Sequence, residues 1–130
     1  APPALEAGWI RGATGDASIV GRMIPQPIAG DTFGKMARLD TLLGDGFVLL
    51  GVDTNPADLL TPEEKAGWDA LNARYLTVRP KTAYTHGSDE LVDLDNVLLP
   101  WLQRYGVKTI AIRPDKFVAA ADTSGLAVPA

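Results

Sequence analysis

The stretch YGVKTIAIRPDKFVAAAD, residues 105–122, decides the fold that the sequence predicts. Residues 108–113, with the apolar residues 110–112 at their centre, indicate a buried strand, and residues 117–121 form a second strand-like run. Between them, Pro114 and Asp115 suit a type I turn, where proline removes no hydrogen bond from the sheet. The stretch therefore predicts an antiparallel β-hairpin near the end of the chain.

A strand, a crossover helix and a second strand are predicted upstream, over residues 47–79. Residues 47–52 are apolar on both faces, as in a central strand that is covered on both sides. The helix begins at a Thr-x-x-Glu capping box with proline at its first position, formed by Thr61, Pro62 and Glu64. Such a strand–helix–strand unit is expected to be parallel and right-handed.

The predicted helices carry apolar stripes. In the crossover helix, Trp68, Leu71 and Tyr75 recur at helical spacing, so we expect them to face the sheet. A shorter helix is predicted over residues 39–43, closed by the glycine that follows, and another over about residues 98–106. These helices supply the layers that would cover the strands.

The order of elements predicts an α/β fold with a central mixed sheet, a crossover helix and a C-terminal antiparallel hairpin. Residues 91–97 add a short edge strand to this sheet. Residues 1–37 are rich in glycine and proline and are interpreted as an irregular, partly extended arm or linker. The predicted domain covers residues 38–122, and residues 123–130 form a tail.

The composition limits the classes of partner. The chain has 130 residues, which fits one domain with its own core, and 46% of them are hydrophobic. It has no cysteine, which excludes disulfides, thiolate nucleophiles and thiolate metal sites. A formal charge of −4 without a basic run argues against nucleic acid or an anionic membrane as partner, and no apolar run is long enough to span a bilayer. A cytoplasmic protein is the default expectation.

Candidates for catalysis are sparse. The single histidine, His86, lies among turn residues and is interpreted as an exposed loop residue. The acidic stretch lacks the spacing of a calcium loop and is interpreted as a solvated, turn-forming edge. It comprises Asp89, Glu90, Asp93 and Asp95. No Gly-rich phosphate loop occurs, and no serine lies in a G-x-S-x-G elbow; the serines are Ser18, Ser88 and Ser124.

Two arginines could serve structure or binding. Arg113 and Asp115 flank the proline of the hairpin turn, and the favoured interpretation is an ion pair that fixes the turn, with an anion or interface site as the alternative. Arg22 and Gln26 lie in GRMIPQP, where prolines hold their spacing. We expect them to attach the arm to the domain, with a peptide or partner groove as the minority alternative.

The order of elements resembles the thioredoxin fold, and residues 105–122 resemble the segment in which a thioredoxin helix runs into its last hairpin. The resemblance departs at the functional positions. After the first long strand, where thioredoxins carry Cys-x-x-Cys, this chain has GVDTNPADL. The proline expected before the hairpin strand is also replaced, within VKTIA. A thiol redox or peroxidase activity is therefore not expected.

Three blocks resemble the C-terminal domain of FAD-dependent aromatic hydroxylases of the 3-(3-hydroxyphenyl)propionate hydroxylase type. They are GRMIPQP, RLDTLLGDGFVLLG and WLQRYGVKTIAIRPDKFVAA, in the family's order over about residues 21–119. In that family, G-R-x-x-P-Q-P leads in from the flavin and substrate domains. The motif positions in this chain are Arg22, Pro25, Asp40, Gly46, Trp101, Arg113, Pro114 and Asp115.

The resemblance implies a domain without catalytic, cofactor-binding or metal-binding residues of its own, which would aid stability or subunit contact. Its parent would use FAD, NAD(P)H and O2 to hydroxylate a phenolic compound. The implied partners are the upstream FAD and substrate domains of the same chain, and a homodimer is left open. The alternative is a stand-alone module with a redox-inactive thioredoxin fold, binding a small molecule or peptide in a pocket lined by Trp9, Trp68 or Trp101.

Overall fold

The computed structural model describes residues 16–82, 89–123 and 125–129. Across these residues the chain forms seven strands and three α-helices. The strands are β1 (Ile28–Asp31), β2 (Met36–Arg38), β3 (Val48–Val52), β4 (Arg74–Pro80), β5 (Glu90–Asp93), β6 (Thr109–Ile112) and β7 (Val118–Ala121). The helices are α1 (Leu39–Leu43), α2 (Pro62–Ala70) and α3 (Leu98–Arg104). Short 3₁₀ turns span Ala17–Ile19 and Pro56–Leu59.

The strands form one mixed sheet in the order β2-β1-β5-β4-β3-β6-β7. Strands β3, β4 and β5 are parallel neighbours, whereas β6 and β7 form the antiparallel hairpin that the sequence predicts. Helix α2 connects β3 to the parallel strand β4, which is the predicted crossover unit. The predicted α/β fold class is therefore confirmed.

The two faces of the sheet bury two separate apolar clusters. Side chains alternate along β3, so Val48 and Leu50 point into one cluster and Leu49 points into the other. Helices α1 and α3 cover the first face, together with residues from the segment before β1. Helix α2 and Leu126 of the tail cover the second face beside β3, β6 and β7.

Helix α2 begins as predicted and ends earlier. Both hydrogen bonds of the capping box are present, and Trp68 is fully buried. Leu71, however, is 38% exposed, and Tyr75 belongs to β4, so the expectation that both face the sheet from this helix is wrong. The helix ends early because Asn72 takes a left-handed conformation, with φ of 56°, and Ala73 N–H donates to the Trp68 carbonyl, 3.1 Å away.

Strands β1 and β2 were not predicted, because they lie within the glycine- and proline-rich segment interpreted as irregular. Strand β1 pairs antiparallel with both β2 and β5, so β5 is an inner strand and the predicted edge position is wrong. Residues 21–24 run beside β7 at the other edge, where Gly21 N–H and Val118 N–H each donate a 2.8 Å hydrogen bond across the gap. The arm thus contacts both edges of the sheet.

Candidate functional site

The loop after β3 occupies the position at which thioredoxins carry their redox motif. Gly51 is tightly enclosed there, since a Cβ atom on it would lie 2.2 Å from the Thr54 carbonyl oxygen and 3.0 Å from Pro56 N. Asp53 has a φ of 53° and its N–H donates to the Val78 carbonyl at 2.9 Å. The Asn55 side chain accepts a hydrogen bond from a main-chain N–H of the 3₁₀ turn that follows. The loop is therefore held by hydrogen bonds to β4 and within its own residues.

One cation lies between two carboxylates near this loop. Arg79 on β4 donates to the Asp53 carboxylate at 2.9 Å, and its Nε lies 4.0 Å from a Glu90 carboxylate oxygen on β5. Both carboxylates therefore lie beside the same guanidinium group. Neither Arg79 nor Glu90 was singled out from the sequence as a partner of this loop, because the strand register that joins them is not visible there.

A buried polar cluster lies next to the loop, where β6 begins and β7 ends. Thr109 pairs with Gly51 across the strands, and the Asp122 carboxylate accepts from Lys108 N–H at 3.1 Å. Burial raises the pKa of Asp122, partly offset by its main-chain hydrogen bonds. Within this cluster, Thr109 Oγ1, Thr123 Oγ1 and Asp122 Oδ1 are buried and have no hydrogen-bond partner among the described residues. The cluster offers one carboxyl group and two hydroxyls.

The hairpin turn contains three of the predicted motif residues. Arg113 Nε donates to Asp115 Oδ1 at 3.0 Å, which raises the pKa of Arg113 and lowers that of Asp115. The Lys116 N–H closes the turn on the Arg113 carbonyl at 2.9 Å, around Pro114. The Lys116 ammonium donates to the Gly44 carbonyl, so the turn is attached to the end of α1. This is the ion pair of the structural interpretation.

The other predicted motif residues lie elsewhere. The Arg22 guanidinium is 5.5 Å from the centre of the Tyr105 ring, and Trp101 packs edge-on against the same ring at 5.5 Å. Gln26 Oε1 accepts from Asp40 N–H at 2.9 Å, which ties the arm to the start of α1.

Pro25 is partly buried in the arm, next to Gln26. Gly46 is exposed, and no atom lies within 4 Å of the position that a Cβ on it would occupy. The motif residues thus make their contacts at several separate places in the domain. The contacts of Arg22 and Asp40 join segments that are distant in the sequence, whereas the Arg113–Asp115 ion pair lies within the hairpin turn.

Asp93 corrects the interpretation of the acidic stretch. It is only 2% exposed, and its carboxylate accepts hydrogen bonds from the N–H groups of Val97, Leu98 and Leu99 at 3.2, 3.1 and 2.8 Å. It therefore caps α3 from the end of β5, so it is not part of a solvated edge. No local signal marked it, because a capping aspartate is expected immediately before a helix, whereas Asp93 lies four residues before Val97.

Several other sequence expectations lie outside the described residues or find no counterpart within them. His86, Ser88, Ser124 and Trp9 are outside the described ranges. Within those ranges, no three histidine, aspartate or glutamate side chains come together in a way that could hold a metal. The helices found there are also too short and too polar to cross a bilayer.

The pocket of the alternative hypothesis is not formed by the described tryptophans. Trp68 is fully buried in the core, and Trp101 packs on Tyr105. One surface groove, of about 260 Å³, lies beside β1 and β2, and another, of about 410 Å³, lies between α2 and the tail. Neither groove has a tryptophan in its lining, so the binding-module hypothesis is not favoured.

Comparison with solved structures identifies the fold. The thioredoxin domain of a thiol-disulfide oxidoreductase from Bacteroides vulgatus superposes with a TM-score of 0.52, covering 81% of this chain and 92% of that domain. The two sequences are 13% identical, so this likeness concerns the fold alone. It confirms the thioredoxin-like topology expected from the order of elements.

Comparison with curated sequences identifies longer relatives. The 3-(3-hydroxy-phenyl)propionate/3-hydroxycinnamic acid hydroxylase 2 of Burkholderia vietnamiensis (strain G4 / LMG 22486) is 32% identical over 128 residues, which cover 91% of this chain. The corresponding hydroxylase of Burkholderia cenocepacia (strain HI2424) is 32% identical over 124 residues, or 88% of the chain. In both cases the chain spans 23% of the relative's length.

The family model described as the HcaD C-terminal domain matches residues 21–128. This match includes all three sequence blocks from which the hydroxylase resemblance was drawn, and it runs from the arm to the tail that packs on α2. The resemblance is therefore confirmed, and the chain belongs to the HcaD C-terminal domain family.

Proposed function

We propose that this chain is the non-catalytic C-terminal domain of a flavin-dependent aromatic-ring monooxygenase, in which it contributes to stability or to contacts between domains or subunits. The observation that carries the proposal is the loop after β3. Where a thioredoxin has its reactive thiols, this chain packs Thr54 and Pro56 against Gly51 and pairs Asp53 with Arg79. The loop offers no thiol, and its Asp53 carboxylate is already paired with Arg79.

The proposed parent hydroxylates a phenolic compound with FAD, NAD(P)H and O2. Support comes from the family match and from the two Burkholderia relatives, whose names describe hydroxylases of 3-(3-hydroxyphenyl)propionate and 3-hydroxycinnamic acid. A cytoplasmic location belongs to the same proposal. The upstream FAD and substrate domains of the parent are the proposed partners.

The loop after β3 does not have the form of an FAD-binding turn. A dinucleotide site needs free N–H groups at a Gly-rich turn that opens a helix after the first strand. Here β3 is followed by Asp53, whose N–H is bonded to Val78, and by the four-residue 3₁₀ turn Pro56–Leu59, whose Ala57 N–H is bonded to Asn55. We therefore place the flavin in the upstream part of the parent and derive no chemical step through this domain.

The proposal is tested by comparing this chain with the longer protein encoded by the same gene. The isolated chain should stay colourless after incubation with FAD and gel filtration, and it should not oxidise NAD(P)H with 3-(3-hydroxyphenyl)propionate. The longer protein should retain flavin and form a hydroxylated product. Stoichiometric flavin binding by the isolated chain, or a longer protein without flavin, would contradict the proposal.

The non-catalytic role has its own test in the longer protein. Asp122→Asn changes the one carboxyl group of the buried cluster and keeps an oxygen that can accept from Lys108 N–H. The substitution should leave kcat per bound flavin unchanged. A loss of about tenfold or more in kcat, equivalent to roughly 1.4 kcal/mol, with flavin content and fold intact, would show that the domain takes part in the chemistry.

A further inference from the structure

The turn between β1 and β2 holds a phenylalanine in solvent. Phe33 is 93% exposed, and Met36, the first residue of β2, is 71% exposed. The Asp31 carboxylate accepts from Phe33 N–H at 2.8 Å and from Lys35 N–H at 2.9 Å, and Asp31 N–H donates to the Lys35 carbonyl at 3.0 Å. The turn is thus fixed by three hydrogen bonds, so the exposure of Phe33 follows from the fold.

One face of the neighbouring strands is also uncovered. The register pairs Gly30 with Met36 and with Val92, and Ile28 with Arg38, so these residues share a face of the sheet. The helix and tail residues that cover this side of the sheet pack on β3, β4, β6 and β7. Beside β1 and β2 the face instead forms the groove of about 260 Å³, and Ile28 is 40% exposed.

The rim of this surface is basic, although the chain as a whole carries a charge of −4. Lys35 and Arg38 are exposed on the turn and on β2, and Lys81 lines the groove. Asp31 also lines the groove, and the exposed Asp95 carboxylate accepts from Ile28 N–H at 2.8 Å, so three cations accompany two carboxylates. A two-fold pairing of β2 with β2 of a second copy would bring Lys35 and Arg38 of one copy close to Lys35 and Arg38 of the other. The repulsion between these like charges disfavours that arrangement.

We propose that this hairpin surface docks on an upstream domain of the same polypeptide, an inference that rests on the proposed function. The surface consists of Ile28, Phe33 and Met36 with the adjoining groove. Upstream domains are available in such a protein, because the chain spans only 23% of its hydroxylase relatives. The complementary site has an apolar pocket for Phe33 and an acidic rim for the three cations described above. An exposed aromatic anchor with a charged rim is the usual composition of such a contact.

The test uses Phe33→Ser and Met36→Ser, with Leu71→Ser as the matched control. Leu71 is also an exposed apolar residue, but it lies at the end of α2, away from β1 and β2. In the isolated chain, all three variants should unfold at nearly the wild-type temperature. In the longer protein, amide hydrogen exchange of residues 28–38 should be slower than in the isolated chain by a factor of about ten or more. Phe33→Ser should abolish this protection and Met36→Ser should reduce it, whereas Leu71→Ser should preserve it.

The outcomes separate the docking inference from the proposed function. Equal exchange of residues 28–38 in the two proteins would overturn the docking inference, even if the longer protein is an active hydroxylase. An isolated chain that dimerises by light scattering, and becomes monomeric on Phe33→Ser, would also overturn it in favour of a second copy. A longer protein that lacks flavin would contradict the proposed function independently, because hydrogen exchange is measured without substrate or turnover.

Discussion

The indole N–H of Trp68 donates to the main-chain carbonyl of Leu126 at 2.6 Å, and this bond joins helix α2 to the C-terminal tail. Both residues are fully buried. The Leu126 N–H in turn donates to the Glu64 carboxylate at 3.2 Å, and a Cβ on Gly67 would lie 2.8 Å from a Val128 methyl carbon. The tail is therefore seated on α2 and completes the second apolar cluster.

Trp68→Phe should destabilise the domain by about 2 kcal/mol, because it leaves the Leu126 carbonyl without its donor and opens a small cavity. Urea unfolding of the isolated chain measures this loss. Trp101→Phe is the control, because Trp101 is only partly buried and packs on Tyr105. A smaller loss for Trp68→Phe than for Trp101→Phe would contradict the role assigned to the tail.

Gly51→Ala should cost at least about 3 kcal/mol or prevent folding, because the new methyl group would meet main-chain atoms of Thr54 and Pro56 that cannot move independently. Gly46→Ala is the matched control. Gly46 has no positive φ and no atom near its Cβ position, so this change should stay within about 0.5 kcal/mol. Circular dichroism with chemical unfolding compares the two, and equal effects would show that the loop after β3 is not tightly packed.

The sequence predicted the elements whose signals are local. The capping box at Thr61 marked the start of α2, and Pro114 with Asp115 marked the hairpin turn, because both depend on residues a few positions apart. The apolar run of β3 likewise predicted a central strand.

The features that the sequence did not predict depend on strand register. Strand β1 forms a local hairpin with β2, but its place in the sheet depends on pairing with a strand far along the chain, as between Gly30 and Val92 of β5. Asp93 lies at the end of β5, where its pairing with Pro80 of β4 and its bond to Leu99 N–H place it beneath the start of α3. The Arg79–Asp53 contact joins β4 to the loop after β3 and has no signal in either segment alone.

Asp93→Ala should destabilise the domain by about 3 kcal/mol, because it removes the acceptor of three N–H groups at the start of α3, two of them in buried hydrogen bonds. Asp93→Ser should recover about 1 kcal/mol of this loss, since a hydroxyl can still accept one of the bonds. Thermal and urea unfolding of both variants check the order. If serine is no better than alanine, the carboxylate does not act through the cap.

Asp122→Asn should change how stability depends on pH. Burial raises the pKa of Asp122 above its ordinary value of 3.8, so the folded state holds this proton more tightly than the unfolded state. The stabilisation from the protonated group is full below pH 3.8 and is lost as pH rises through the folded pKa. Asparagine keeps the bond to Lys108 N–H and carries no charge. The stability of the Asp122→Asn variant relative to wild type should therefore increase with pH.

The measurement is the difference in unfolding free energy between wild type and Asp122→Asn, taken from about pH 3.5 to about pH 7. Other carboxylates have the opposite dependence, for example Asp69, whose pKa is lowered by its hydrogen bond from the Tyr75 hydroxyl. They contribute equally to both proteins and cancel in the difference. A difference that is constant with pH would show that Asp122 titrates alike in the folded and unfolded chains.

The segment that precedes α1 covers the edges that β5 and β7 would otherwise leave open, since β1 pairs with β5 and residues 21–24 lie along β7. A shortened protein that begins at residue 38 would keep every helix and the hairpin, yet it would leave β5 and β7 with open main-chain donors and acceptors. Edge strands with unpaired main-chain groups pair with strands of other chains and cause aggregation. Anyone who wishes to produce this domain alone should therefore retain the glycine- and proline-rich lead-in.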